Sequence, residues 1–255
     1  MEKRRPKVAF LISGQSRDSY IGTGADQRIY QSHKQHIFNS ELEDNYDYDV
    51  YIVTDNTTYE KCLNFFEKHL KKIKNIDQNE VKIKEGLVGT NNQYHKLYIA
   101  WKLMEETGLH YDYVVKLRPD VIIFHDFPPF LLSLDKKLEQ EIIFSWDVIF
   151  VGRYDIMREI CNIYNTLYRP YSPVRYNFKH NGLMTYKVYY IDWNAVHTPE
   201  VQLCECAMAY ITAKGKSITE SLIDGKIDFQ LRNESRHFTN NHHPNDYYSR
   251  DDIHN

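Results

Sequence analysis

The chain has 255 residues, 42% of them hydrophobic and 26% charged, with a formal net charge of −3 at pH 7. That length suits one large α/β domain. No Pro/Gly/Ser-rich linker argues for two, and Lys and Arg spread along the whole chain give no basic field for nucleic acid or an anionic membrane. The early apolar run, Val8 to Ile12 behind the basic Met1 to Lys7, is too short for a signal-peptide core or a membrane span, so the expected location is cytoplasmic.

In chain order, Val8 to Ile12 reads as a buried strand, followed by Ser13-Gly14-Gln15-Ser16-Arg17 and a polar loop through Gly22, Gly24 and Asp26. A helix is predicted from about Arg28 to Glu41. Tyr48 to Val53 gives a second strand ending at Thr54-Asp55, and Thr57 or Thr58 caps a helix with Cys62, Phe65, Phe66 and Leu70 as its apolar residues. Asn79 to Lys84 reads as a third, weaker strand. Asn91 or Asn92 opens a long helix with Leu97, Ala100, Trp101 and Met104 on one face and Gly108 as its stop. The Val-, Ile- and Tyr-rich run from Tyr111 to Ile123 reads as a strand of a covered sheet. It should end or kink at Pro119, because proline cannot donate to a central ladder. Four strands alternating with three helices make βαβ units around a parallel sheet.

Beyond this point Phe127-Pro128-Pro129-Phe130 turns the chain, and Ile142 to Ser145 and Val148 to Gly152 offer short strands before a helix from Asp155 to Leu167. Arg169 to Trp193 is aromatic with little periodicity, which suggests loops and an edge hairpin of the kind that meets substrate over a sheet edge. Pro199-Glu200 opens a further helix, with Val201, Leu203, Cys204, Ala207, Met208 and Ile211 buried and Gly215 as its stop. The division expected is a single domain over 1–236, in halves of about 7–125 and 126–236, and a polar, loosely ordered tail over 237–255. Cys62, Cys161, Cys204 and Cys206 fall within helical segments and show no metal-ligand spacing, so they read as reduced, buried thiols.

The break at Arg118-Pro119-Asp120 places Asp120 at the carboxyl edge of a strand. Open α/β sheets bind ligands along that edge, and a carboxylate there can hold a divalent cation against a phosphate. An acidic residue in a turn needs no ligand. Arg118 beside Asp120, however, sets opposite charges in an otherwise apolar segment, which is costly unless they are paired or used.

Three segments, Phe10-Leu11-Ile12-Ser13-Gly14-Gln15-Ser16-Arg17, Tyr111 to Asp120, and Trp146-Asp147-Val148-Ile149-Phe150-Val151-Gly152, together resemble a family of GT-A-type glycosyltransferases. Such enzymes occur in bacterial surface-polysaccharide loci and in large DNA viruses, where the cytoplasm would be the host's. The resemblance covers about residues 7 to 232, since Pro199-Glu200 and Ile227 to Arg232 also match late features. It implies a GT-A-like, Rossmann-type, mostly parallel sheet flanked by helices. It also implies a UDP- or GDP-sugar donor whose diphosphate Mn or Mg bridges to an Asp-x-Asp motif, and a glycan or glycoprotein hydroxyl as acceptor. This chain keeps only the last acid of that motif, Asp120, as the expected metal ligand. Arg118 stands in the first position, either pairing with Asp120 or meeting phosphate directly.

The same resemblance distributes the remaining roles. Arg17 would meet phosphate and Ser13 or Gln15 the base or ribose, the alternative being a solvated loop. Asp55 would accept bonds from uracil or ribose, or simply cap the next helix. Gln93 and Lys96 lie near the start of the helix leading into the Arg-Pro-Asp strand, with Lys96 able to neutralise the leaving diphosphate. An inverting enzyme needs a carboxylate to take the acceptor's proton. Glu200, at a helix start, and Asp147, beside Trp146, are the two candidates. Tyr168, Tyr171, Tyr176 and Tyr186 fall where an acceptor is expected, and His237 leads a set of histidines (with His180, His197, His242 and His243) that could add a late metal ligand. A non-catalytic nucleotide-sugar- or glycan-binding protein on the same fold is the alternative. A nucleotidyltransferase fits less well, since Ser13 to Arg17 makes a poor triphosphate loop.

Overall fold

A computed structural model describes residues 4–14, 27–55, 59–76, 91–123, 126–127, 143–145, 149–162, 173–180, 183–190 and 229–231. Its centre is a six-stranded mixed sheet. Strands β1 (Lys7–Gly14), β2 (Asp47–Thr54), β3 (Leu70–Asn75) and β4 (Tyr113–Leu117) lie parallel in the order β3-β2-β1-β4. Strand β7 (Ile149–Arg153) runs antiparallel to β4, and β6 (Ile143–Ser145) closes the edge antiparallel to β7. Between β4 and β6 comes β5 (Val121–Ile123), which leaves the main sheet and pairs with β10 (Phe229–Leu231). Strands β8 (Pro173–His180) and β9 (Leu183–Tyr190) form a separate antiparallel hairpin, the edge hairpin expected from the aromatic stretch.

Alternation along the strands gives the sheet two buried faces. Val8, Phe10 and Ile12 of β1 face α1 (Gln27–His36), α2 (Ser40–Asn45) and α3 (Tyr59–Phe66), joined by Val50, Ile52, Val115 and Leu117. Here Phe10, Phe38, Phe65 and Phe66 pack edge to face with centroids 4.6–5.9 Å apart, the geometry that aromatic quadrupoles favour. Ala9 and Leu11 face the other way, against the 15-residue α4 (Asn91–Glu105) and α5 (Tyr154–Cys161). Leu97, Ala100, Trp101 and Met104 make the apolar stripe of α4, as their spacing predicts. Gly108, at φ +66°, follows the helix where it was expected to stop. Cys62 and Cys161 are buried free thiols, as expected, and burial pushes Cys62 up to about 12.

Three boundaries differ from the sequence expectation. The helix expected over Arg28 to Glu41 is two helices. The Ile37 and Phe38 amides both close back onto the His33 carbonyl, and the Asn39 side chain then caps α2 by accepting from the Leu42 amide at 3.1 Å. Leu70 is not helical, because α3 ends at Phe66 and a short 3₁₀ turn with Glu67 at φ +47° leads straight into β3. The third parallel strand is therefore Leu70–Asn75. Asn79 to Lys84, expected as a weaker strand, lies outside the described residues, as do Thr57, Thr58, the predicted 199–215 helix and the 237–255 tail.

The amino-terminal edge of the sheet is stapled by a buried carboxylate. Asp49 accepts from the Tyr111 hydroxyl at 2.7 Å and pairs with Lys7 at 2.9 Å and Lys71 at 3.1 Å. Tyr111 in turn bonds the Tyr51 hydroxyl at 2.6 Å. One group thus ties together β1, β2, β3 and the approach to β4. Burial alone would raise the Asp49 carboxyl, but the Tyr111 hydroxyl and the two ammonium groups outweigh it and hold it below the usual carboxylate range. A folded value below the unfolded one means that this stabilisation is present at neutral pH and is lost as pH falls through the folded value. Tyr111→Phe is expected to lower unfolding free energy by about 1.5–3 kcal/mol, the usual cost of removing a donor from a buried charge, with the acid-unfolding limb moved to higher pH. Urea denaturation at pH 7 and pH 4 measures both, and an unchanged midpoint would contradict the network's role.

Candidate functional site

Parallel strands end on a common rim. Gly14 of β1 is in register with Thr54 of β2, and Ile12 with Leu117 of β4, so Ser13-Gly14, Thr54-Asp55 and Arg118-Pro119-Asp120 lie along one edge. Gly14 adopts φ +146°, and a Cβ built on it would stand 3.1 Å from Pro119 Cδ. The motif after the first strand and the motif after the fourth therefore touch, and only glycine permits both the angle and the approach.

Asp120 is 3% exposed at this rim. Arg118 grips it from the side: Nε donates to Oδ1 at 2.9 Å and Nη2 to Oδ2 at 3.0 Å. This is the planar fork in which guanidinium binds carboxylate most strongly. The segment that follows is fixed to α1. His33 Nε2 lies 2.8 Å from the Val121 carbonyl, so the proton must sit on Nε2 and be donated. The Ile123 amide donates to Ser32 Oγ at 3.2 Å, the Phe127 amide to the His36 carbonyl at 2.8 Å, and His36 pairs with Asp126 at 2.7 Å. On its other edge β5 takes β10 in the register Val121↔Leu231 to Ile123↔Phe229. Sequence reasoning missed Ser32 and His33. The available signal was two polar residues three and four places after Ile29, on the face that Ile37 continues.

Asp55 ends β2, as expected, and pairs with Lys96 of α4 at 3.4 Å. The Lys96 side chain is only 1% exposed. Burial lowers its pKa, with Asp55 pulling the other way. Lys96 therefore reaches the rim as the partner of Asp55. Ser13, near the end of β1, is fully buried, and its hydroxyl has no hydrogen-bond partner among the described residues. Gln93 is half-buried in the first turn of α4. Lys116, one alternation behind Arg118 on the α4 face, is buried with Nζ 5.6 Å from the Phe150 ring centre. Ser13, Asp55, Gln93, Lys96, Arg118 and Asp120 thus fall on four elements, the ends of β1, β2 and β4 and the first half of α4. Gln15, Arg17, Asp147, Glu200 and His237 lie outside the described residues.

Asp120 brings one carboxylate to the rim and Arg118 one guanidinium. Both carboxylate oxygens are engaged by Arg118, and a guanidinium stands where a second acid would be. Among the described residues no three His, Cys, Asp or Glu side chains cluster as metal ligands. A cleft of about 380 Å³ lies at the opposite edge of the sheet near Arg5, Asp47, Asp49, His69 and Lys71. Arg5 pairs there with Asp47 at 3.2 Å and Lys71 with Asp49 at 3.1 Å, so the cleft adjoins the structural network of Asp49.

No protein-family model matches the chain, and no curated protein matches it in sequence. Among solved structures it is similar to a putative glucose-1-phosphate thymidylyltransferase from Bacillus anthracis. That match has 8% identity and TM-score 0.33, over 62% of this chain and 74% of that one. It is also similar to the glycosyltransferase GlyE of Streptococcus pneumoniae (10% identity, TM-score 0.40, 86% of this chain and 46% of that one). A third similarity is to the mannosyltransferase Ktr4p of S. cerevisiae (13%, 0.31, 56% and 39%). The chain spans less than half the length of the last two. Among the described residues no helix is long and apolar enough to cross a membrane.

Two outcomes test how the rim is held. Burial pulls the His33 imidazole down to about 4, against the Val121 hydrogen bond and the nearby Asp120 charge, whereas the unfolded chain titrates near ~6.5. Between those values the unfolded state binds the extra proton, so stability falls on acidification by a total of about 3 kcal/mol. His33→Gln should flatten this window in urea midpoints taken at pH 7, 5.5 and 4; an unaltered slope would show that His33 stays neutral for no energetic gain. Gly14→Ala meets both the φ penalty and Pro119, and is expected to cost about 1–3 kcal/mol in the same assay.

Proposed function

We propose that this chain is a glycosyltransferase that moves a sugar from a nucleoside-diphosphate donor, UDP or GDP, to a hydroxyl of a glycan or glycoprotein. The observation that carries the reading is the buried Arg118–Asp120 pair, raised at the carboxyl rim of a parallel sheet beside the end of β1. An anionic ligand crossing that rim meets a forked cation already in position. The orphaned, fully buried Ser13 hydroxyl at the same edge supports a polar ligand there. The resemblance of the three sequence motifs to GT-A-type enzymes supports the reaction class.

In this reading Ser13, Gln15 and Asp55 meet the nucleoside, Gln93 lines the approach, and Arg17, Lys96 and Arg118 face the diphosphate. The acceptor oxygen attacks the anomeric carbon while its proton passes to a carboxylate, Glu200 or Asp147. The bond from that carbon to phosphate oxygen breaks, and its electron pair leaves with the nucleoside diphosphate. Arg118 contributes by meeting the charge that develops on the departing oxygen, where a fixed cation in a partly dry site is worth most.

The test is release of UDP or GDP from a panel of nucleotide sugars, assayed with and without Mn and with candidate acceptors. Release by the unaltered chain should fall by at least about 100-fold in Asp120→Ala, whose Arg118 loses its fixed orientation. Absence of both nucleotide binding and release across the panel removes the reading. Glu200→Gln and Asp147→Asn, compared at saturating donor, identify the base: the variant that loses turnover while keeping nucleotide affinity marks it.

A further inference from the structure

We infer that Ser32 and His33 of α1 are positioning residues for the rim: they stand in for a neighbouring strand along β5 and so set where Asp120, with Arg118 bound to it, meets the donor. The inference rests on the nucleotide-sugar reading above and adds to it the device that holds the rim in register.

Three observations lead there. First, β5 starts at the residue after Asp120 and is only 3 residues long, as is its ladder with β10. A lone two-stranded ribbon is marginal in water, so the hold on the body of the protein comes through α1. His33 Nε2 donates to the Val121 carbonyl at 2.8 Å, and the Ile123 amide donates to Ser32 Oγ at 3.2 Å. Successive residues of a strand turn their amides and carbonyls to opposite edges, so Val121 and Ile123 face α1 while Ile122, opposite Gln230, faces β10. The two side chains occupy the places that another strand's amide and carbonyl would fill. Second, both groups are oriented by their surroundings. The Ser32 hydroxyl donates to the Ile29 carbonyl at 3.0 Å, which commits its proton and leaves its lone pairs for the Ile123 amide. His33 is fully buried, and Asp120 is close enough for its charge to act on the imidazole. Third, the contact is directional. Apolar packing alone would let β5 slide along α1, whereas satisfied buried hydrogen bonds specify one arrangement. Further on, the Phe127 amide donates to the His36 carbonyl at 2.8 Å and keeps the same register. Displacing a binding group by about 1 Å is enough to cost of order 100-fold in function.

The experiment is calorimetric titration of UDP and of GDP, with Mn present, into the unaltered chain, Ser32→Ala, His33→Leu, His33→Gln and Tyr111→Phe, with a urea midpoint for each. Tyr111→Phe is the control for lost stability, since it loosens the opposite edge of the sheet. The unaltered chain is expected to bind one of the two nucleotides. Ser32→Ala should weaken that binding by at least about threefold and His33→Leu by at least about tenfold, whereas Tyr111→Phe should stay within about twofold although its urea midpoint falls. His33→Gln, whose amide can still donate to the Val121 carbonyl, should recover binding to within about threefold of the unaltered chain. Should His33→Leu not fold, Ser32→Ala measured against Tyr111→Phe decides. Full affinity in Ser32→Ala or in a folded His33→Leu, a loss in Tyr111→Phe as large as theirs, or His33→Gln binding no better than His33→Leu overturns the inference and leaves the transferase reading standing. No binding of either nucleotide to the unaltered chain overturns both.

Discussion

Pro119 has no amide hydrogen, and the carboxyl rim of the sheet is arranged around that fact. A residue able to donate would let β4 continue in register with β1 and carry position 120 into the ladder. Instead the strand stops at Leu117, and the chain steps out of the sheet for Arg118 and Asp120. It resumes as β5 in a different pairing. The step needs room, and Gly14 supplies it from the neighbouring strand. The two segments that look most distinctive in the sequence are thus two halves of one contact.

Charge is handled differently at the two ends of the sheet. At the amino-terminal edge Asp49 is surrounded by Lys7, Lys71 and the Tyr111 hydroxyl, so every strong partner is spent on holding strands together. At the carboxyl rim the pairs are smaller, Arg118 with Asp120 and Lys96 with Asp55. They lie on residues that end elements, with a buried hydroxyl of Ser13 nearby. Buried ion pairs are poor stabilisers compared with apolar packing, so such pairs at a rim suit orientation of charge better than stability.

Much of the fold was legible because its main elements carry strong periodic signals. The β1, β2 and β4 runs, the Leu97–Met104 stripe and the Gly108 stop emerge from spacing alone, and the proline break was readable as a break. What failed was local competition. Asn39 divides an apparently continuous helix by capping the second half, and β3 begins directly after a 3₁₀ turn with no glycine or proline to announce it. The rim was legible at Asp55, Lys96 and Asp120 as positions on an edge. The choice between pairing and phosphate contact for Arg118 was not, because it depends on torsions that no pattern encodes. His33 and Ser32 were missed for another reason: polar residues on a helix read as solvated until the opposing strand is known.

The pairing of β5 with β10 sets an order in time. Residues 121–123 have their partner at 229–231, so on the ribosome the parallel core can close well before that partner emerges. Until then β5 presents an open strand edge next to Asp120, a template for mispairing with other nascent chains. The segment beside the carboxylate is therefore completed only after residue 231 has emerged, and growing chains should depend on chaperones until then.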